Sequence, residues 1–413
     1  MRRIAIAVAL TLATSMRADA VRILDDPQDA LQARVDVIQQ AQKDVGLLYF
    51  LARNDRVTLG VLSLLCDARR RGVPRVRVIV DGSFHRIPKA VLAHLRDEGV
   101  EIRVYHPMQL RHPSWWFRRM HEKVVIVDSA RYITGGRNLG EAYFGLAKKK
   151  NYVDRDVYVD GASAVDASEH FEELWSSIHV YELHVRVSDE EKKRAAVALS
   201  DALNALQLGG VIERDTHRDW SDGAIEADAV QFLDDDDTRV GVRVSEAIGA
   251  ARKSIVIESP YFVPSKSLRT LLEKKLRDGV EVTVLTNSLR STDGLLPQAA
   301  YLKYRRRLAR AGVAFREFKG PDALHAKSII IDGKVTLIGS YNIDPRSQYL
   351  NTEVMCLAED EELARTLRAS IDGHVEHAWA IQRAARGGPR ISRAMSLRLW
   401  AVRLLLPVIE PQL

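Results

Sequence analysis

Only two cysteines occur in 413 residues, Cys66 and Cys356, and both sit in apolar stretches, Leu64-Leu65-Cys66 and Val354-Met355-Cys356-Leu357. That is too few for a disulfide framework, so buried free thiols are expected. The apolar run from Ile4 to Ala13 is too short to cross a bilayer, which takes roughly 20 residues. Charge of one sign is in small excess as well: the formal charge is +6, and removal of residues 1–20, with Arg2, Arg3, Arg17 and Asp19, would leave +4. A mildly basic surface suits anionic lipid or nucleic acid and does not choose between them. Metal-ligand spacing is thin too. His374-x-x-His377 has no third ligand nearby, and no metal or other cofactor is expected.

What is present begins with an N-terminal pattern. Arg2 and Arg3, the short apolar run and the small-residue triplet Ala18-Asp19-Ala20 read as a signal peptide over residues 1–20, cut after Ala20. An uncleaved anchor is the alternative, because Met16-Arg17 interrupts the approach to the cut. Either way the body is expected outside the cytoplasm. A chain of this length, 46% hydrophobic and 28% charged, suggests two domains or two fused halves.

The halves announce themselves as a repeat. His121-x-Lys123-x₄-Asp128 recurs as His325-x-Lys327-x₄-Asp332. Fourteen residues after each histidine stands a glycine, Gly135 or Gly339, and seventeen after it an asparagine, Asn138 or Asn342. Asp156-Val157 is matched to Glu353-Val354, with a longer insertion in the first copy. Upstream, the runs ending at Phe50 and Phe262 are each followed by a charged helix, a Gly-Val pair, a strand and a second helix. Each half therefore reads strand, helix, strand, helix, strand, motif strand: an α/β fold with mixed sheets.

Side chains alternate along a strand, so His121 and Lys123 share one face, as do His325 and Lys327. That places an imidazole beside a fixed positive charge, which suits a phosphodiester. The ammonium neutralises non-bridging oxygens, while the imidazole attacks phosphorus or protonates the leaving oxygen. Two histidines divide the work, one neutral and one protonated. Asn138, Asn342 and Ser340 follow glycine turns and can hold phosphate oxygens. Asp156 and Glu353 are expected to orient the histidine of their own half.

These residues carry the signature of the phospholipase D superfamily, and the resemblance covers most of the chain. Arg118-Arg119-Met120-His121 with Gly135-Gly136-Arg137-Asn138, Glu258-Ser259-Pro260-Tyr261-Phe262-Val263-Pro264 and Thr286-Asn287-Ser288-Leu289-x-Ser291-Thr292-Asp293 look like the bacterial cardiolipin synthases. Asn342-x-Asp344-x-Arg346-Ser347 with Asn351-Thr352-Glu353 belongs to the same pattern, and the two ends of the chain resemble the C-type branch. The resemblance implies two tandem phospholipase D-like α/β halves, related by a pseudo-twofold axis, with one shared active site. It implies His121, Lys123, Asp128, His325, Lys327 and Asp332 as catalytic residues and a phosphohistidine intermediate. It further implies that phosphatidylglycerol is joined to a phospholipid donor such as phosphatidylethanolamine, giving cardiolipin. Which histidine attacks stays open. Two departures stand out: Glu122, where the family often has asparagine, is expected to lower affinity for an anionic headgroup, and Gly136 replaces the serine found at Ser340.

The layout expected is a first half over 21–187, a linker helix and loop over 188–220, a second half over 221–385 and a basic amphipathic tail over 386–413. Asp234 to Asp237 read as a solvated linker rather than a cation site. Trp115-Trp116-Phe117 either enters the membrane interface or packs within a loop. The tail from Arg390 to Leu406 either lies on an anionic membrane or docks on the protein itself. Phospholipid substrates, an anionic membrane surface and no nucleic acid are the expected partners; oligomeric state is left open. The expected location is periplasmic, peripheral on the cell membrane. A hydrolytic phospholipase D releasing phosphatidic acid, or an exported phosphodiesterase or nuclease, are the competing enzymatic readings.

Overall fold

The computed structural model describes residues 18–107, 116–235, 239–381, 398, 399 and 402. The first half opens with β1 (Asp19–Leu24) and α1 (Pro27–Gln40), whose start is set by Asp26 accepting the Gln28 and Asp29 N–H groups. Three parallel strands follow, β2 (Asp44–Tyr49), β3 (Arg75–Asp81) and β4 (Glu101–Tyr105). They are joined by α2 (Arg56–Arg70) and α3 (Lys89–Asp97), the helical crossovers that parallel pairing requires. The chain then returns through β5 (Lys123–Val127), β6 (Arg131–Gly135), the short β7 (Tyr152–Val153) and β8 (Asp156–Asp160). After α4 (Ser163–Ser176) come β9 (Val180–Glu182), α5 (Asp189–Leu208) and β10 (Ile225–Ala227).

The second half repeats this plan. It runs β11 (Val230–Leu233), α6 (Val240–Ala250), β12 (Ser254–Glu258), α7 (Lys266–Arg277), β13 (Glu281–Asn287) and α8 (Leu295–Ala311). Then follow β14 (Ala314–Phe318), the short β15 (Ala323–Leu324), β16 (Ser328–Ile331) and β17 (Val335–Gly339). It closes with α9 (Pro345–Tyr349), β18 (Met355–Glu359), α10 (Glu361–Glu376) and β19 (Ala378–Ile381). The first sheet has the order β10-β1-β8-β6-β5-β2-β3-β4-β9 and the second β11-β18-β17-β16-β12-β13-β14-β19. The stretch β8-β6-β5-β2-β3-β4 is therefore repeated as β18-β17-β16-β12-β13-β14.

Both sheets are covered on both faces, which explains the uninterrupted apolar runs of the motif strands. In β5, Val125 and Val127 join the core under α1, α2 and α5, while Val124 and Ile126 face a core shared with the second half. In β16, Ile329 and Ile331 face the second half's outer core and Ile330 the shared one. α4 and α10 occupy that shared layer, contributing Phe171, Trp175, Leu363 and Leu367 among others. The parallel pair β7–β15 ties the halves directly.

Two expectations about boundaries change. α5 begins with a capping box, Ser188 and Glu191, and packs into the first half's core through Leu199, Leu203 and Leu206. It lies so close to α2 that a Cβ on Gly60 would come within 2.7 Å of Leu206. Trp220 is buried beneath the same half and donates from Nε1 to Asp36, and β10 pairs with β1. Residues 188–227 thus belong to the first half, and the division falls between β10 and β11 rather than at 220.

The expected cut after Ala20 falls inside β1. It would remove Asp19, whose carboxylate accepts the Ala162 and Ser163 N–H groups at the start of α4. Residues 1–17 lie outside the described residues. Most of the tail does too, but Leu399 is buried against Val263, Ala299 and Ala300, with Val402 packed beside it, so this turn docks on the protein itself. Among the described residues no helix is long and apolar enough to cross a membrane.

Candidate active site

His121 lies just before β5, against the edge of the other half. Its backbone N–H donates to Thr352 O at 3.0 Å, and its ring Nδ1 meets the Glu353 carboxylate at 2.9 and 3.0 Å. His325 is held by the reciprocal arrangement. Its N–H donates to Val153 O at 2.7 Å, and its Nδ1 meets Asp154 Oδ2 at 2.6 Å. Each histidine is thus oriented by an acid from the opposite half, and with Nδ1 engaged in both rings Nε2 is left for chemistry.

This corrects the pairing expected from sequence. Glu353 does orient a histidine, but His121 rather than His325. Asp156 orients neither: it is fully buried in an ion pair with Arg34 at 2.8 Å and accepts the Arg137 N–H. The acid that sequence reading missed is Asp154. A signal for it existed, since Asp154 and Glu353 stand equally far before the acidic ends of β8 and β18, Asp160 and Glu359. Matching an acid followed by valine selected the wrong member of Asp154-Arg155-Asp156-Val157.

The lysines reach the same place. Lys123 Nζ and Lys327 Nζ each donate to the backbone carbonyl of the histidine two residues earlier, and Lys327 Nζ lies 2.9 Å from His325 Nδ1 and 3.3 Å from Nε2. Phe50 backs the first motif, its ring 4.8 Å from that of His121 and 5.3 Å from Lys123 Nζ. Tyr143 and Tyr152, stacked at 4.4 Å, back the second, 5.4 and 5.1 Å from His325.

The two dyads differ electrostatically. Burial, then the charges of Lys123, Lys327 and His325, hold His121 well below its ordinary pKa. Burial and Lys327 also lower His325, but Asp154 opposes them. Burial would raise Asp154, yet His325 and Lys327 overcome it and keep the carboxylate ionised. Glu353 is pushed up to about 7 by burial, against Lys123 and the hydrogen bonds of Ser340, Ser347 and Asn351. Lys123 in turn is lowered to about 7, chiefly by burial. His121 is therefore the more firmly neutral ring, and His325 the one backed by a full negative charge.

Ser340 serves Glu353 rather than an open phosphate site: its Oγ donates to Glu353 and accepts the Val354 N–H. Gly136 cannot be serine, because a Cβ there would lie 1.9 Å from Asp154 Oδ1. Asn138 Oδ1 accepts the Leu51 N–H at 3.1 Å. Asn342 Oδ1 is buried with no hydrogen-bond partner among the described residues, a group that a ligand can satisfy. Asp235 is not solvated linker: it accepts the Val240 and Glu353 N–H groups, bracing the strand that carries Glu353. Glu122 is buried against His170 Nε2 at 2.8 Å, so its carboxylate is held by a histidine rather than presented to a headgroup. His374 is bonded to Glu258 at 2.6 Å.

Asp128 and Asp332 do not enter the site. They sit past the far ends of β5 and β16 in left-handed turns, with φ of 57° and 55°. Asp128 accepts the N–H groups of Gln42, Lys43 and Asp44, and Asp332 those of Arg252, Lys253 and Ser254. Each clamps the entry to a central strand. Asp128→Ala is expected to lower stability by about 2 kcal/mol, the loss of charged hydrogen bonds, with turnover retained. Denaturant midpoint and turnover on one sample check this; lost turnover at an unshifted midpoint would return Asp128 to the chemistry.

Two α/β halves that exchange acids across paired His-x-Lys motifs define a phospholipase D-like protein. The sequence matches the family described as "Cardiolipin synthase, PLD-like domain" over residues 35–175 and 244–375, and the chain belongs to that family. It is a phospholipase D-type phosphatidyltransferase. It is 29% identical to "Cardiolipin synthase C" of Escherichia coli (strain K12), covering 87% of this chain and 85% of the relative. It is 27% identical to "Cardiolipin synthase A" of Pseudomonas syringae pv. syringae, covering 94% and 75%. Among solved structures, phosphatidylserine synthase of Haemophilus influenzae shares the fold with a TM-score of 0.72 at 15% identity, over 97% of this chain and 98% of that one.

Proposed function

We propose that this chain makes cardiolipin by moving a phosphatidyl group through a phosphohistidine, with His121 as nucleophile and His325 as acid and base. The observation that carries the reading is the exchange of acids: His121 on Glu353 and His325 on Asp154, with both lysines beside them. His121, the more firmly neutral ring, attacks phosphorus from Nε2, forming an N–P bond as the bond to the headgroup oxygen breaks. That oxygen takes a proton from His325 Nε2, whose imidazolium is matched by ionised Asp154. A hydroxyl of phosphatidylglycerol then gives its proton to His325 and its oxygen attacks phosphorus, releasing His121. Lys123, Lys327 and the amides of Asn138 and Asn342 stabilise the charge on the non-bridging oxygens.

We propose that the chain acts from outside the cytoplasm on an anionic membrane surface. Trp116 and Phe117, 39% and 45% exposed beside Arg118, support a membrane-facing rim. Purified protein with phosphatidylglycerol and phosphatidylethanolamine should yield cardiolipin; phosphatidic acid alone would make it a hydrolase. After acid quenching with phosphate-labelled lipid, the label is expected on the peptide containing His121. Label on His325 would reverse the two roles.

A further inference from the structure

A different outlying charge borders each ring. Arg346 contributes to the field at His121, whereas the Asp293 carboxylate contributes at His325 and Lys327. Asp293 sits in the loop between β13 and α8, the end of the Thr286-to-Asp293 segment, and none of its chemistry is used by the two dyads. It is exposed, yet two tyrosine hydroxyls hold it: Tyr261 donates to Oδ1 at 2.6 Å and Tyr152 to Oδ2 at 3.3 Å. Tyr152 is the ring stacked on Tyr143 and 5.1 Å from the His325 ring. A carboxylate thus rests at the edge of an aromatic cluster beside His325.

Lys150 Nζ donates to the backbone carbonyls of Ser291 and Thr292, which holds the loop of the second half to the first. A carboxylate at the edge of aromatic rings attracts an organic cation through its charge, and the ring quadrupoles add to that attraction. Water or a neutral polyol gains much less there.

We propose that Asp293, Tyr152 and Tyr261 form a subsite for the ammonium of a departing phospholipid headgroup, an ethanolamine arm whose oxygen is protonated by His325. The orientation rests on the mechanism proposed above, since it puts the leaving headgroup on the His325 side. The subsite would favour a zwitterionic donor on this side and leave the Arg346 side to an anionic phospholipid. It sorts donor from acceptor by charge.

The test is calorimetric binding of two soluble, acyl-free headgroups, glycerophosphoethanolamine and glycerophosphoglycerol, to the full chain. Asp293→Asn is expected to weaken the first about tenfold, while the second changes by less than about twofold. Tyr261→Phe keeps the carboxylate and should weaken only the first, by a smaller factor, so the proposal stands exposed to refutation even where Asp293→Asn folds poorly. Equal weakening of both headgroups, or no preference lost in either variant, would overturn the subsite. Cardiolipin formation, followed on the same samples, decides the proposed function separately. Selective weakening without any cardiolipin formed would keep the subsite and reject the reaction.

Discussion

His121→Ala and His325→Ala are each expected to lose transfer activity on the order of 10⁴-fold, the upper range for removing a positioned proton-transfer group. The loss from one substitution should approach that from both, because residues acting as a unit are not additive. The reason lies in the geometry. His121 takes its backbone anchor from Thr352 and its acid from Glu353, while His325 takes them from Val153 and Asp154. One site therefore contains both rings, and either alone can only begin the reaction or only protonate. Near-normal turnover in either single variant would refute a shared site. Both histidines are buried, so an unchanged unfolding midpoint must accompany the assay.

Asp154→Asn should cost more than Glu353→Gln, within a range of roughly 10²–10⁴-fold. Asp154 is ionised opposite His325, and its charge raises the histidine's pKa. Removing that charge lowers the pKa of His325 further, so the protonated form disappears at a lower pH. The basic limb of kcat/KM should accordingly move to lower pH in Asp154→Asn. Glu353, pushed up to about 7 by burial, is only partly ionised near neutrality, so replacing it with a neutral amide removes less charge. An identical loss with no displacement of the limb would assign Asp154 to positioning alone.

Much of this is legible in the sequence. The repeat identified both motif strands, because a fixed His-Lys pair followed by an apolar run is a local pattern. That the two sheets share one strand order follows from it, since two copies of one strand-helix sequence fold alike. What local pattern could not show is which half supplies each acid. The contact from His121 to Glu353 spans most of the chain, and strand alternation alone cannot separate Asp154 from Asp156, two residues apart on one face. The motif aspartates were misplaced for a simpler reason. Seven residues of extended chain cover roughly 20 Å, so Asp128 cannot touch what His121 touches. Asp235 was misjudged because four adjacent aspartates look solvated, whereas one of them is drawn in by two backbone N–H groups.

The exchange of acids also governs what an incompletely folded chain can do. If the first half loses its structure, His325 loses Asp154 and Glu353 loses His121. Disorder in the second half strips the partners in the reverse sense. Either failure disarms both rings at once, so a damaged molecule is silent rather than half-active. Such a molecule would not form a phosphohistidine that it could not pass on, and membrane lipid would be spared stray cleavage.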